Sequence, residues 1–299
     1  ESLRPSDRWI VDVGVRYDRV GVDLHTEEFR QYDYATGRYT ANRATILRDT
    51  AFDRLSPRIG VVHKLTPMVN LYGNISTGFH TSQTSELNLN PDLIPSKTYN
   101  YETGIKARSA EGHSIDLSLF YITVKDDIVQ TMLPNNESSY SNAGKTTKKG
   151  VELSATMQLL KGLHIGGVYT YSDFTFAEFN EVINGQNFKR DGNRLPYIPR
   201  HQFSLYTVYR HPSGFRFKVE TNTWGEYEVD NANSETYEGY SFITNALVGY
   251  AKNGWDVSVD VYNIFDTRHA VEVTKDSGGA AKFRPGAPAT WMARIGYTF

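Results

Sequence analysis

Alternation of apolar and polar side chains is the feature that most limits what this chain can fold into. In Trp9-Ile10-Val11-Asp12-Val13-Gly14-Val15-Arg16-Tyr17 every odd position is apolar or aromatic, and the even ones are mostly small or charged. The same register returns at 115–119, 215–220, 255–261 and 291–299. A period of two sends successive side chains to opposite faces of an extended strand, so each segment has an oily face and a wet face. About twelve strands follow from this pattern, beginning near Trp9, Arg54, Val69, Tyr99, Ile115, Ala143, Leu163, Gln202, Phe215, Phe242, Trp255 and Thr290.

The connections carry as much information as the strands. Short links at 65–67, 109–112, 160–162, 211–214 and 252–254 hold the Gly, Pro and Asn of tight hairpins. Between them fall long polar links at 25–52, 81–97, 130–141, 175–200, 226–240 and 267–288. Short and long alternate strictly. A hairpin barrel threaded through a membrane sorts its connections in this way, with short turns on the periplasmic side and long loops outside. A sandwich has no reason to do so. Read this way, the last strand runs toward the periplasm and the first rises from a turn near Pro5-Ser6-Asp7.

Composition removes other classes. No run of apolar residues is long enough for a transmembrane helix, yet 20 Tyr and 15 Phe favour strands and interfacial girdles. There is no Cys, which excludes thiolate metal sites and Cys nucleophiles. A net charge of −2 gives no reason to expect nucleic acid. No Gly-x-Ser-x-Gly, His-Glu-x-x-His or phosphate-binding loop occurs, so an enzyme is not expected. Asp126 and Asp127 are neighbours on a strand and point to opposite faces. His25 with Glu27 and Glu28 reads as a solvated loop. Gly150 reads as easing strand curvature beside a wet-face Glu152. Asn263 and Asp266 are expected to close a turn through side-chain to backbone hydrogen bonds.

Several local motifs, in order along the chain, resemble the C-terminal half of TonB-dependent outer-membrane receptors. They are Leu55-Ser56-Pro57-Arg58-Ile59-Gly60-Val61 with Leu71-Tyr72-Gly73-Asn74-Ile75-Ser76-Thr77-Gly78-Phe79, then Tyr101-Glu102-Thr103-Gly104-Ile105-Lys106, and Asn142-Ala143-Gly144 with Gly150-Val151-Glu152. Leu195-Pro196-Tyr197-Ile198-Pro199-Arg200-His201, Tyr262-Asn263-Ile264-Phe265-Asp266 and Pro285-Gly286-Ala287-Pro288 before a final strand ending in Phe299 complete the set. The resemblance implies an all-β, antiparallel transmembrane barrel of roughly 22 strands with a plugged lumen. Residues 1–299 would supply its last twelve strands, and the plug and the TonB-contacting segment would lie outside this chain.

The resemblance further implies a Gram-negative outer-membrane receptor that takes up a scarce nutrient, most often a ferric siderophore, with energy passed through TonB and no cofactor. Cobalamin, haem or an oligosaccharide is the alternative cargo, and a passive porin-like channel the alternative function. Phe299, with Trp291 and Tyr297 on the lipid face, would also be read by the barrel-assembly machinery. Ligand contacts must point inward near the outer end or sit in long loops. Parity turns Tyr72, Asn74, Lys218, Glu220 and Asn222 inward, with His80 and Trp224 highest. Tyr140, Arg190, Arg194, Tyr227, His269 and Arg284 lie in or beside loops. Arg and Tyr suit an anionic, catecholate-like or carboxylate-rich chelate.

Overall fold

The computed structural model describes every residue except 1, 27–30, 34, 41–45, 133–137, 184–185 and 276–278. Thirteen strands form one sheet. They are β1 (Ser2–Ser6), β2 (Trp9–Thr26), β3 (Ile46–Lys64), β4 (Val69–His80), β5 (Ser96–Arg108), β6 (Ser114–Met132), β7 (Ser138–Leu160), β8 (Leu163–Glu178), β9 (His201–Arg210), β10 (Phe215–Trp224), β11 (Tyr240–Lys252), β12 (Trp255–Tyr262) and β13 (Thr290–Tyr297). Each pairs antiparallel with its neighbours in sequence, and β1 does not pair with β13, so the sheet is a partial barrel. The turns at its lower end are tight. Asn253 and Gly254, both at positive φ, join Lys252 to its partner Trp255, the geometry that matches the twist of the flanking strands.

Register carries the alternation across the sheet. Val13, Ile59, Ile75, Tyr101 and Tyr121 stand side by side on five consecutive strands, and each is between 42% and 49% exposed. A row of large apolar residues exposed to this degree is no core; it is a surface made for lipid. Rings gather at the turn end of the same face. Trp9 lies 4.1 Å from His63 between ring centroids, and Trp255 lies 4.8 Å from Tyr297, which meets Phe299 edge-on. Such amphipathic rings mark a membrane interface.

The opposite face is polar, and many of its charged groups pair with one another. Glu102 accepts hydrogen bonds from Tyr72 (2.7 Å), Ser118 (2.9 Å) and Asn74 (3.2 Å). Arg108 pairs with Asp116, Arg216 with Asp256 and Arg294 with Asp260, all within 2.7 Å.

Three expectations are corrected. A thirteenth strand, β1, precedes Trp9 and reaches it through Asp7 and Arg8. Strand β3 begins at Ile46 and β7 at Ser138, ahead of the expected starts near Arg54 and Ala143, and β6 and β8 run on to Met132 and Glu178, so the link expected at 130–141 is reduced to residues outside the described ones. His25 is a strand residue opposite Leu47 on β3, while Glu27 and Glu28 lie outside the described residues. The strands outrun the prediction because above the membrane both faces meet water, and the alternation that marks a strand disappears.

Gly150 sits in an unbroken ladder. Register runs evenly from Phe120 through Gly150 to Ser172, and a Cβ at 150 would lie 2.7 Å from Phe120 Cζ and 2.1 Å from the Tyr171 carbonyl oxygen. The glycine is a slot in which the Phe120 ring lies flat. Gly166 is a similar slot for Tyr206, whose ring atoms would come within 2.4 Å of a Cβ. Gly104 receives the Tyr72 ring in the same manner.

Candidate functional site

Long connections stand at one end of the sheet and fold into a knitted cap. Small two-stranded ribbons stiffen them: Asn180–Ile183 with Gln186–Lys189, Tyr227–Glu228 with Thr236–Tyr237, and Ala270–Lys275 with Ala281–Pro285. Two polar nodes and two apolar clusters join ribbon to ribbon.

Glu181 is the first node. Its carboxylate accepts Arg190 Nε at 2.7 Å, Asn231 Nδ2 at 2.8 Å and Thr131 Oγ1 at 3.1 Å. Asn231 also donates to the Gln130 carbonyl, so three separate connections meet at one buried acid. Burying a carboxylate costs several kcal/mol unless its charge is paired and its lone pairs are used, and here both conditions hold. Beside it Phe176 and Phe179, with ring centroids 4.7 Å apart, pack on Ala143.

Lys275 is the second node. Its Nζ donates to Asp230 and Ser234, each at 2.6 Å, and lies 3.3 Å from Glu235. Burial opposes the Asp230 charge, but the hydrogen bonds from Lys275 and Ser234 outweigh it and hold the carboxyl below its ordinary value. Burial likewise works against the ammonium of Lys275, and Asp230 and Glu235 together raise its pKa. Around this node Tyr227, Val229, Ala270 and Val273 form a small core with Trp224, Tyr237 and Ala281 against it. The Tyr227 hydroxyl accepts from Val273 N at 2.7 Å, and burial pushes the phenol up.

The residues singled out from sequence divide into two groups. Arg190, Arg194, Tyr140 and Tyr227 are built into the cap. Arg194 donates to the Ser172 carbonyl, sits 3.6 Å from Asp173 and exchanges backbone hydrogen bonds with the Asn233 side chain. Tyr140 packs against Leu24, Leu87 and Leu93, where its carbonyl accepts Asn90 Nδ2. His80 and Arg284 are exposed, and Trp224 and His269 are half-buried. His80 ends β4 exposed, opposite Ser96. Trp224 stands opposite Tyr240, whose ring lies 4.9 Å from that of His269. Arg284 projects from its ribbon, with Glu272 at 3.8 Å. The structure thus brings Trp224, Tyr227 and His269 to one side of the cap and Arg190 and Arg194 to the other, with residues 230–233 bridging them. Among the described residues no three His, Asp or Glu converge as a metal site.

A family model described as "TonB dependent receptor-like, beta-barrel" matches residues 1–264. The chain belongs to that family. As a TonB-dependent receptor barrel it lies in the Gram-negative outer membrane. Curated relatives are receptors of the same kind. The chain is 27% identical to the metal-pseudopaline receptor CntO of Pseudomonas aeruginosa, over 90% of this chain and 36% of that protein. It is 25% identical to the catecholate siderophore receptor Fiu of Escherichia coli K12, over 98% and 40%. It is also 25% identical to the ferrioxamine B receptor of Salmonella typhimurium, over 88% and 35%. The chain therefore spans well under half the length of the relatives it matches.

Solved structures agree on the fold. The siderophore receptor PiuA from Acinetobacter baumannii aligns with a TM-score of 0.81 at 18% identity, over 99% of this chain and 42% of that one. The ferric yersiniabactin receptor FyuA from Yersinia pestis gives 0.78 at 21%, over 100% and 44%.

Glu181, Asn231, Asp230 and Lys275 hold the receptor's cap together, and sequence reading passed over all four. Each sits in a polar, aperiodic stretch where no spacing sets one acid or amide apart. Asn263 was legible. Its Oδ1 accepts Thr267 N, its Nδ2 donates to the carbonyls of Thr267 and Ala287, and Asp266 accepts Ala289 N.

Proposed function

We propose that residues 1–299 form the C-terminal portion of the barrel of a receptor that imports a metal chelate, a ferric siderophore, with energy delivered through TonB to a plug outside this chain. One observation carries this reading. Connections from four hairpins are locked into a single cap above a polar, internally neutralised lumen wall, while the other end has only short turns. A passive channel needs no such cap. The relatives' names, which span a metal-pseudopaline receptor, a catecholate receptor and a ferrioxamine receptor, support the chelate class.

In this reading the chelate meets His80, Trp224, His269 and Arg284, which retain free surface, while Arg190, Arg194, Tyr140 and Tyr227 hold the wall in shape. The guanidinium and rings supply charge and stacking for an anionic aromatic or carboxylate chelate. The outward Trp291, Tyr297 and Phe299 anchor the last strand in lipid and serve the assembly machinery. The test is uptake of radiolabelled ferric chelates by cells lacking their own receptors and supplied with the full-length protein. Uptake of one chelate class that stops without TonB supports the reading. Uptake of cobalamin, haem or an oligosaccharide alone, or steady conductance in planar bilayers without TonB, overturns it.

A further inference from the structure

The lipid-facing side of β5 to β7 carries a row of like charge. Lys97 stands directly opposite Lys125, and Lys125 directly opposite Lys145. Like charges on adjacent strands at the same level repel and destabilise the pairing. Asp126 lies 3.9 Å from Lys97, and Glu178 is the cross-strand neighbour of Lys145, yet among the described residues no carboxylate comes within 4 Å of Lys125 or Lys145. Lys125 instead leans toward the Tyr99 ring, 5.8 Å from its centroid.

Below the lysines the face changes in steps. The next row is Tyr99, Thr123, Thr147 and Thr175; then come Tyr101, Tyr121 and the ion pair of Lys149 with Asp173 at 3.1 Å. Beneath these the rows are mostly apolar: Thr103, Leu119, Val151 and Tyr171, then Ile105, Leu117, Leu153 and Tyr169. Two strand residues rise about 7 Å, so the lysine row sits roughly 10 Å above the tyrosines once strand tilt is allowed for. That is the headgroup layer. From two rows below the lysines, and reaching from β6 across to β3, a depression of about 600 Å³ opens, walled by Ile59, Ile75, Tyr101 and Leu119. Gly73 lies in it, with room for a Cβ.

We propose that this column is a docking site for a phosphate-bearing, acylated lipid of the outer leaflet. Its phosphates sit at Lys97, Lys125 and Lys145, and an acyl chain fills the depression above Gly73. The phosphate relieves the repulsion that the lysines otherwise suffer, and the glycine leaves the space the chain occupies. The inference rests on the outer-membrane placement of the barrel and is independent of the chelate.

The test uses the full-length receptor, released from detergent into native mass spectrometry with bis-phosphorylated lipid A as the probe. One retained lipid per protein is expected. Lys97→Gln with Lys125→Gln and Lys145→Gln should lower retention on the order of a hundred-fold, since each cation near a phosphate layer contributes about five-fold. The triple Lys→Arg variant should retain the lipid, as should Lys161→Gln with Lys252→Gln at the periplasmic turns. Gly73→Leu should lose it while keeping all three charges. Dephosphorylated lipid A should not be held, and excess inorganic phosphate should not displace the acylated probe. Retention unchanged in the triple Gln variant, or equal retention of the dephosphorylated lipid, overturns the site. Resistance of each variant to unfolding in cold detergent, with normal chelate uptake, separates failure of this site from failure of the receptor reading.

Discussion

Arg190 donates through Nε to Glu181 across 2.7 Å, with the acid's side chain 5% exposed and the guanidinium 14%. The pair closes a hairpin at its base, because Glu181 stands in the first strand of the ribbon Asn180–Ile183 with Gln186–Lys189 and Arg190 directly follows the second. The other oxygen of Glu181 reaches Asn231 and Thr131, so one local ion pair fixes the relative positions of three connections.

Removing the cation should therefore loosen the cap and leave the barrel intact. Arg190→Ala strands a buried carboxylate, a loss of about 3–5 kcal/mol where such pairs are cut on one side. Hydrogen exchange in the full-length receptor should rise across 175–194 and 226–235 and stay unchanged in β9 to β12. Exchange that rises equally in the strands would refute a local role. Glu181→Gln should be milder, because an amide keeps part of the network.

The Asp230–Lys275 node predicts a pH window for the cap. The carboxyl value is depressed in the folded protein, so its contribution is present above the ordinary carboxylate pKa and fades as pH falls through the folded value. The lysine value is raised, so its contribution is complete below the ordinary lysine pKa and fades as pH climbs through the folded value. Trp224, packed on the same cluster, should hold constant fluorescence from roughly pH 5 to 9 and change below and above that span. In Lys275→Met the acid arm should move upward in pH.

Two glycine slots should respond differently to relief. At Gly166 the atoms in the way belong to the Tyr206 side chain, so Gly166→Ala should cost about 1–3 kcal/mol and be rescued by Tyr206→Ala. At Gly150 the nearest atom is the Tyr171 carbonyl oxygen, so Phe120→Ala should not rescue Gly150→Ala. The yield of heat-modifiable full-length barrel reads both. Rescue at both positions would mean that the backbone approach at Gly150 is unimportant.

Asn263 sits at φ 49° and satisfies the backbone of Thr267 and Ala287. Asn263→Gly keeps the permitted conformation but leaves those groups unpaired, at a loss of about 2–3 kcal/mol. Asn263→Asp keeps the acceptor for Thr267 N and should fall between Gly and Asn in the detergent melting temperature. Equal melting of all three proteins would refute the hydrogen-bond role.

Sequence by itself determined where most strands lie and which face of each meets lipid. Trp9, Val11 and Val13, with Trp255, Val257 and Val259, lie where parity put them, because a period of two is a property of the extended backbone and needs no partner to be read. The family was legible for the same reason: motifs such as 262–266 encode local turns. Tertiary structure alone decided the cap. Glu181 and Asn231 are 50 residues apart in sequence, and Lys275 meets Asp230 across 45. Polar side chains in aperiodic segments acquire partners only when loops from different hairpins are brought together. The slot at Gly150 belongs to the same class, since only the neighbouring strand supplies the ring that fills it.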